Sequence, residues 1–254
     1  MGVHHAATFR YQEYQQETSQ LVELVDQHNY ELLKAQACQT IEYFQNEWSL
    51  TDLGQVKYQS GVTTKILTQE WPLVKHGEDS LATVAEIEAI SIPTSQDIGY
   101  WFLIILAKYL ENCISPLANW YVLYAALESL GWPVAYRDLL FYGLPTYKLL
   151  KPNLTEPLTR PLTADSPYWL WVHPSGAWSG WLATAEVIML VDKLHNIRDQ
   201  VTNWDIGKIP NIDSSNPIVI GEYREYLKKG LDDTLVMLST AKKHKSGLFI
   251  SITI

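Results

Sequence analysis

Apolar positions recur at helical spacing in three long stretches of this 254-residue chain. Leu21, Leu24, Val25, His28, Leu32, Ala35, Cys38 and Ile41 lie on one stripe, which predicts a single amphipathic helix over 18–48. The Gln-rich residues before Thr18 read as a frayed arm. Val187, Ile188, Val191, Leu194 and Ile197 mark a second stripe, with Thr184 as its cap. Tyr223, Leu227, Leu231, Leu235 and Leu238 mark a third helix over 219–243, stopped by Gly247. Between them, Gly99–Ala107 is apolar all round, which predicts a central helix over 98–112 capped by Asp97. Ser80 is the cap candidate for a helix over 81–90. Ser115-Pro116 predicts a helix restart running to Gly131, and Trp132-Pro133 a shorter one ending near Gly143.

Strand patterns are fewer. Tyr168–His173 alternates and predicts a strand, followed by a Pro174-Ser175-Gly176 turn. Trp178–Leu182 predicts a short return strand. Leu248–Ile254 predicts a terminal strand beside 168–173, and Gln55–Trp71 a hairpin. Pro152, Pro157, Pro161 and Pro167 forbid a helix over 151–167, which reads as a linker. The expected fold class is therefore α+β and helix-rich. A mainly helical part spans 1–150. An α+β part spans 168–254, with a small sheet packed by two amphipathic helices. The two parts are compatible with one compact unit.

Composition narrows the function. The chain is 47% hydrophobic and 19% charged, as expected of a globular protein. A net charge of −9 argues against nucleic acid, whose binders carry a basic face. The one dense basic run, Lys242-Lys243-His244-Lys245, suits a helix C-terminus. The two cysteines, Cys38 and Cys113, lie in apolar contexts without a CxxC pattern, which fits a reducing compartment. The first residues lack the apolar core of a secretory signal, and Ala6 stands where myristoylation of Gly2 requires Ser or Thr. The longest apolar run is too short to span a bilayer. The expectation is a soluble, cytoplasmic protein with neither nucleic-acid nor membrane partners.

No nucleotide-binding, zinc-protease, nucleophile-elbow or calcium-loop motif is present in the sequence. His173 and His195 are the candidate catalytic pair. Asp192, three residues before His195 on a predicted helix, could orient its imidazole, and Ser175 or Ser179 could supply a hydroxyl. No spacing suggests a metal or a cofactor, so none is expected. Asp232 and Asp233 are adjacent on a helix and point apart. The unusual feature is aromatic: ten Trp and fifteen Tyr against five Phe. Such side chains combine an apolar body with a polar tip. Trp169, Trp171, Trp178 and Trp181 fall close together. Of this stretch, Trp171, His173, Trp178 and Trp181 are the candidate binding residues.

The C-terminal order is a short strand, the helix opening WLATAEV, a helix, a polar loop, a long helix ending AKKHKSG and a final apolar strand. Over about 178–254 this resembles the YfbM-like family of bacterial proteins of unknown function. The resemblance implies an α+β fold and transfers no catalytic residue. The function expected is non-catalytic: a regulatory, accessory or immunity-type protein that binds another protein or a small ligand. The alternatives are a hydrolase using His173 and His195, and a structural subunit that homodimerises through its long C-terminal helix.

Overall fold

The computed structural model describes residues 3–48, 83–117, 120–145, 147–150, 178–209 and 212–253. The fold is α+β and helix-rich. In chain order the elements are β1 (Val3–Phe9), α1 (Tyr11–Asp26), α2 (Glu31–Trp48), α3 (Val84–Ala89), α4 (Ser95–Leu106), β2 (Leu110–Leu117), α5 (Trp120–Ser129), α6 (Val134–Tyr142), β3 (Leu144–Pro145), α7 (Tyr147–Leu150), β4 (Trp178–Leu182), α8 (Thr184–Asn196), α9 (Arg198–Thr202), α10 (Pro217–His244) and β5 (Gly247–Thr253). Short 3₁₀ turns occupy Ala107–Tyr109 and Ile206–Lys208. The strands form one sheet in the order β2-β1-β5-β4-β3.

The chain divides into two compact units that alternate along the sequence. One comprises Met1–Thr8, Ile114–Leu144 and Gly180–Ile254; the other comprises Phe9–Cys113 and Pro145–Ser179.

The first unit is built on α10. Asn216 caps it, its side-chain oxygen accepting from the Ile218 N–H at 3.0 Å, and Pro217 occupies the first turn, where no N–H is needed. From Leu227 onward a stripe of Leu227, Leu231, Thr234, Leu235, Leu238 and Ala241 is buried. It packs against α8, α5 and β5. Each fully buried leucine of that stripe contributes about 1.5–3 kcal/mol relative to exposure. The stripe is used within its own unit, and the opposite side leaves Val236 exposed. The helix ends on Lys245 in the left-handed conformation, and the Ser246 N–H closes back on the Ala241 carbonyl. The expected stop at Gly247 is therefore two residues late, and Gly247 already starts β5.

Two glycines set the approach of β4. Gly143 ends α6 at φ +70°, and Gly180 lies against the preceding residue, Tyr142. A Cβ on Gly180 would sit 1.7 Å from the Tyr142 carbonyl oxygen, so only glycine fits. Leu182, two residues on, is fully buried.

The second unit packs α2 against α4 and α3, and α1 against α7. α4 is the apolar run, and Trp101, Phe102, Ile104, Ile105 and Leu106 are all at most 1% exposed. α3 and α4 both open on capping boxes. Thr83 pairs with Glu86, and Thr94 pairs with Asp97.

Several expectations need correction. The helix predicted over 18–48 is two helices, α1 and α2, because His28 turns left-handed at φ 58° and breaks the run. The chain before Thr18 is strand β1 and the first turns of α1, not an arm. Asp97 is the third residue of the capping box, and Thr94 is the cap. The central helix ends at Leu106, and the chain then pairs as β2 beside β1. Ser115-Pro116 therefore lies in a strand. Proline is tolerated there because β2 is an edge of the sheet. Helix α3 starts at Val84 behind Thr83. Ala183, not Thr184, is the cap of α8, and the Thr184 hydroxyl donates to the Lys245 carbonyl at 3.3 Å. Ile188 falls off the buried stripe of α8, and Leu190 joins it. The polar loop after Val201 buries Trp204 and Ile206. Both edges of β5 are taken, by β1 and β4. The expected hairpin at 55–71, the linker at 151–167, and the strand and turn at 168–176 lie outside the described residues.

Candidate functional site

His173 and Trp171 lie outside the described residues, and of Trp178 only the strand backbone is described. Trp181 is 6% exposed and so is a packing residue of the first unit; a buried indole offers no free face for stacking. His195 is exposed on α8. Asp192, expected to orient it, instead forms an ion pair with Lys242 at 3.0 Å across to α10. Among the described residues no contact joins Asp192 to His195. Cys38 is buried, and burial above all pushes its thiol pKa up, which keeps it a poor nucleophile. Among the described residues no group of three or more His, Cys, Asp or Glu could hold a metal ion, and no helix is long and apolar enough to cross a membrane.

In the second unit, charges converge where α1 meets the turn at 107–111. Arg10 ion-pairs with Glu13 at 2.5 Å and Glu111 at 2.9 Å, and donates to the Lys108 carbonyl at 2.8 Å. Glu17 accepts from Lys108 at 2.5 Å and from the Tyr109 hydroxyl. Tyr14 lies edge-on to Tyr109 beneath them. Every carboxylate here has a cation or a hydroxyl on it. The network pins the first turns of α1 to the chain leaving α4, and partly exposed pairs of this kind contribute at most about 1 kcal/mol each.

A different arrangement occurs in the first unit. α5 opens with Trp120 and Tyr121 and carries Tyr124 one turn on; α6 ends in Phe141 and Tyr142. α10 carries Tyr223 and Tyr226, just before its buried stripe begins. Residues three or four apart share a helix face, so α5 and α10 each present rings together. Trp120 lies 5.4 Å from Phe141, 6.1 Å from Tyr124 and 6.1 Å from Tyr142, centroid to centroid. Tyr124 lies 5.3 Å from Phe141. Tyr121 meets Tyr223 at 6.5 Å, and Tyr223 meets Tyr226 at 5.8 Å. Phe141 is buried; Trp120, Tyr121, Tyr124, Tyr142, Tyr223 and Tyr226 are half-buried against the core. Mutual ring contacts, worth about 0.5–1.5 kcal/mol each, hold the rings in place. Burial and a hydrogen bond with Tyr223 push the Tyr121 hydroxyl up to about 12. Burial, with Tyr124 and Asp138 nearby, raises that of Tyr142. Both phenols are therefore neutral hydrogen-bonding groups at physiological pH.

A cation lies against the Tyr124 ring. Arg137 of α6 is 5% exposed, and its guanidinium carbon lies 4.9 Å from the centroid of the Tyr124 ring. Nη1 lies 2.6 Å from Glu128 Oε1, an ion pair, and Nε is buried with no acceptor. A buried donor left unpaired costs about 1–3 kcal/mol. Glu128 itself is exposed, its side chain retaining 61% of its surface. Nearby, Lys193 lies 4.3 Å over Tyr136.

Sequence reasoning counted the aromatic excess but weighed it only around 169–181. The signal that finds this face is the spacing Trp120-Tyr121…Tyr124 and Tyr223…Tyr226 on two predicted helices. What it lacks is any hint that these helices are neighbours. The chain matches no family model, no curated protein and no solved structure. These comparisons bear neither way on the likeness of 178–254 to the YfbM-like proteins.

Proposed function

We propose that this protein acts by binding, as a regulatory or accessory protein, and that the aromatic face of α5, α6 and α10 is its contact surface. The observation that carries the reading is six half-buried Trp and Tyr rings held by ring contacts in two groups, Trp120, Tyr124 and Tyr142 with Phe141, and Tyr121 with Tyr223 and Tyr226. Ordered rings of two torsions lose little freedom on binding and bring large apolar area with polar tips. Tyr and Trp are the side chains most enriched where binding energy concentrates.

A photo-crosslinking amino acid placed at position 121 or 226, in the native cell, tests this. Position 236, a lone exposed valine on the far side of α10, is the control. The expected result is the same discrete adduct from 121 and 226 and none from 236. Equal labelling at all three positions would sink the proposal.

A further inference from the structure

Arg137 has an electrostatic environment that its own unit leaves incomplete. Its guanidinium is removed from water and lies over the ring of Tyr124. A guanidinium offers five N–H donors in a planar fork suited to the two oxygens of a carboxylate or the oxygens of a phosphate. Here Nε has no acceptor, and Nη1 meets a single carboxylate oxygen at 2.6 Å. That carboxylate, Glu128, belongs to a side chain mostly in solvent. A flexible exposed glutamate close to a buried and under-satisfied arginine is a removable cover. When it swings into water, Nη1 is uncovered beside the ring of Tyr124.

We propose that Arg137 anchors an anionic group, a carboxylate or a phosphate, on a small aromatic ligand of this face, with Glu128 holding the place of that group in the free protein. The inference rests on the binding reading above and narrows it to a ligand chemistry. The ring of the ligand lies among the half-buried aromatics, and its oxyanion takes up the guanidinium that the unit has already desolvated. The desolvation is complete before the ligand arrives, so the charged contact forms without removing Arg137 from water. Lys193, by contrast, lies over Tyr136.

Three probes share one ring and differ in the group it carries: benzoate, phenyl phosphate and neutral benzamide. Binding to the full chain is followed by calorimetry and by quenching of tryptophan fluorescence. Benzoate or phenyl phosphate is expected to bind at least about tenfold more tightly than benzamide, the scale of one charge-assisted contact. Whichever anion binds better identifies the chemistry. Glu128→Gln, which removes the competing charge and keeps the shape, is expected to tighten the anion and leave benzamide unchanged. Arg137→Lys keeps the charge and loses the fork; it is expected to abolish the preference for the anion while benzamide still binds. Should Arg137→Lys fail to fold by circular dichroism, Glu128→Gln alone decides. Equal binding of all three probes overturns the anchor and leaves the aromatic face standing. Saturable binding of none of them also overturns the anchor, whereas the face is read independently by the crosslinking yields at 121 and 226.

Discussion

Replacing Gly180 with alanine adds one carbon at the tightest approach described in the first unit. The new Cβ would lie 1.7 Å from the Tyr142 carbonyl oxygen, 2.8 Å from the Tyr142 carbonyl carbon and 3.2 Å from the Gly143 Cα. All three atoms are backbone, so no side chain can rotate away. Since contacts below about 3.0 Å are not tolerated, β4 and the end of α6 must separate by roughly 1.3 Å (3.0 minus 1.7). That shift displaces Trp181 and Leu182 from the core. Overpacking of this kind costs about 1–3 kcal/mol or more, while alanine lowers the entropy of the unfolded chain by an equivalent of about 0.4–1 kcal/mol in the opposite sense. With the cost at the upper end of its range, a net loss of about 2 kcal/mol follows, which corresponds to a fall in Tm of roughly 4–8 °C for a chain of this size. Scanning calorimetry beside two other glycine variants separates the causes. Gly131 is left-handed at φ +75° with nothing near its missing Cβ, so Gly131→Ala reports backbone strain alone, about 1 kcal/mol. Gly221 is inside α10 with open space around it, so Gly221→Ala is expected to stabilise by about 0.5–1 kcal/mol. If Gly180→Ala costs no more than Gly131→Ala, the close approach of β4 to Tyr142 is refuted.

Asn216→Ala removes the side-chain acceptor at the start of α10 and is expected to cost about 1 kcal/mol, read from urea unfolding, with Asn216→Asp close to wild type. Tyr121 gives the alkaline prediction. Its folded-state pKa lies at about 12, above the ordinary value of 10, so the proton is held more tightly in the fold. Its contribution to stability is full below pH 10 and is lost as pH rises through about 12. Tyr223→Phe removes a hydrogen bond that raises this value and is expected to bring Tyr121 down toward 10 in a tyrosinate absorbance titration; no change would show that the two hydroxyls do not meet.

Where the sequence carried a local physical cause, the elements could be read from it. Gly131 and Gly143 were legible as stops because each takes a positive φ that other residues avoid. WSGWL was legible as a strand and LFISITI as another, from their apolar and β-prone residues. The apolar run Gly99–Ala107 announced a buried helix. The misreadings share one cause, a tertiary partner invisible to local pattern. VHHAATF looks like a polar start until β5 and β2 flank it. LENCISPL carries a serine-proline that imitates a helix start, and only its place at the edge of the sheet lets it be a strand. His28 breaks a helix without the glycine or proline that would have advertised it. The candidate site follows the same logic. Trp120, Tyr124, Phe141 and Tyr142 lie on two helices adjacent in sequence, but Tyr223 and Tyr226 come from a helix some eighty positions later, and no periodicity joins them. Arg137 was invisible because a charged residue on a short helix normally stays in water.

The pairing of β1 with β5 has a consequence in time. The two strands are neighbours in the sheet but are separated by residues 10–246. At about 5–20 residues per second, a ribosome needs roughly 12–50 s to make that intervening stretch. Throughout that interval β1 has no β5 to meet, and one row of its backbone N–H and C=O groups stays open to any other strand in reach. The sheet is thus a late event in the biosynthesis of this chain, closed by its latest strand around one of its first.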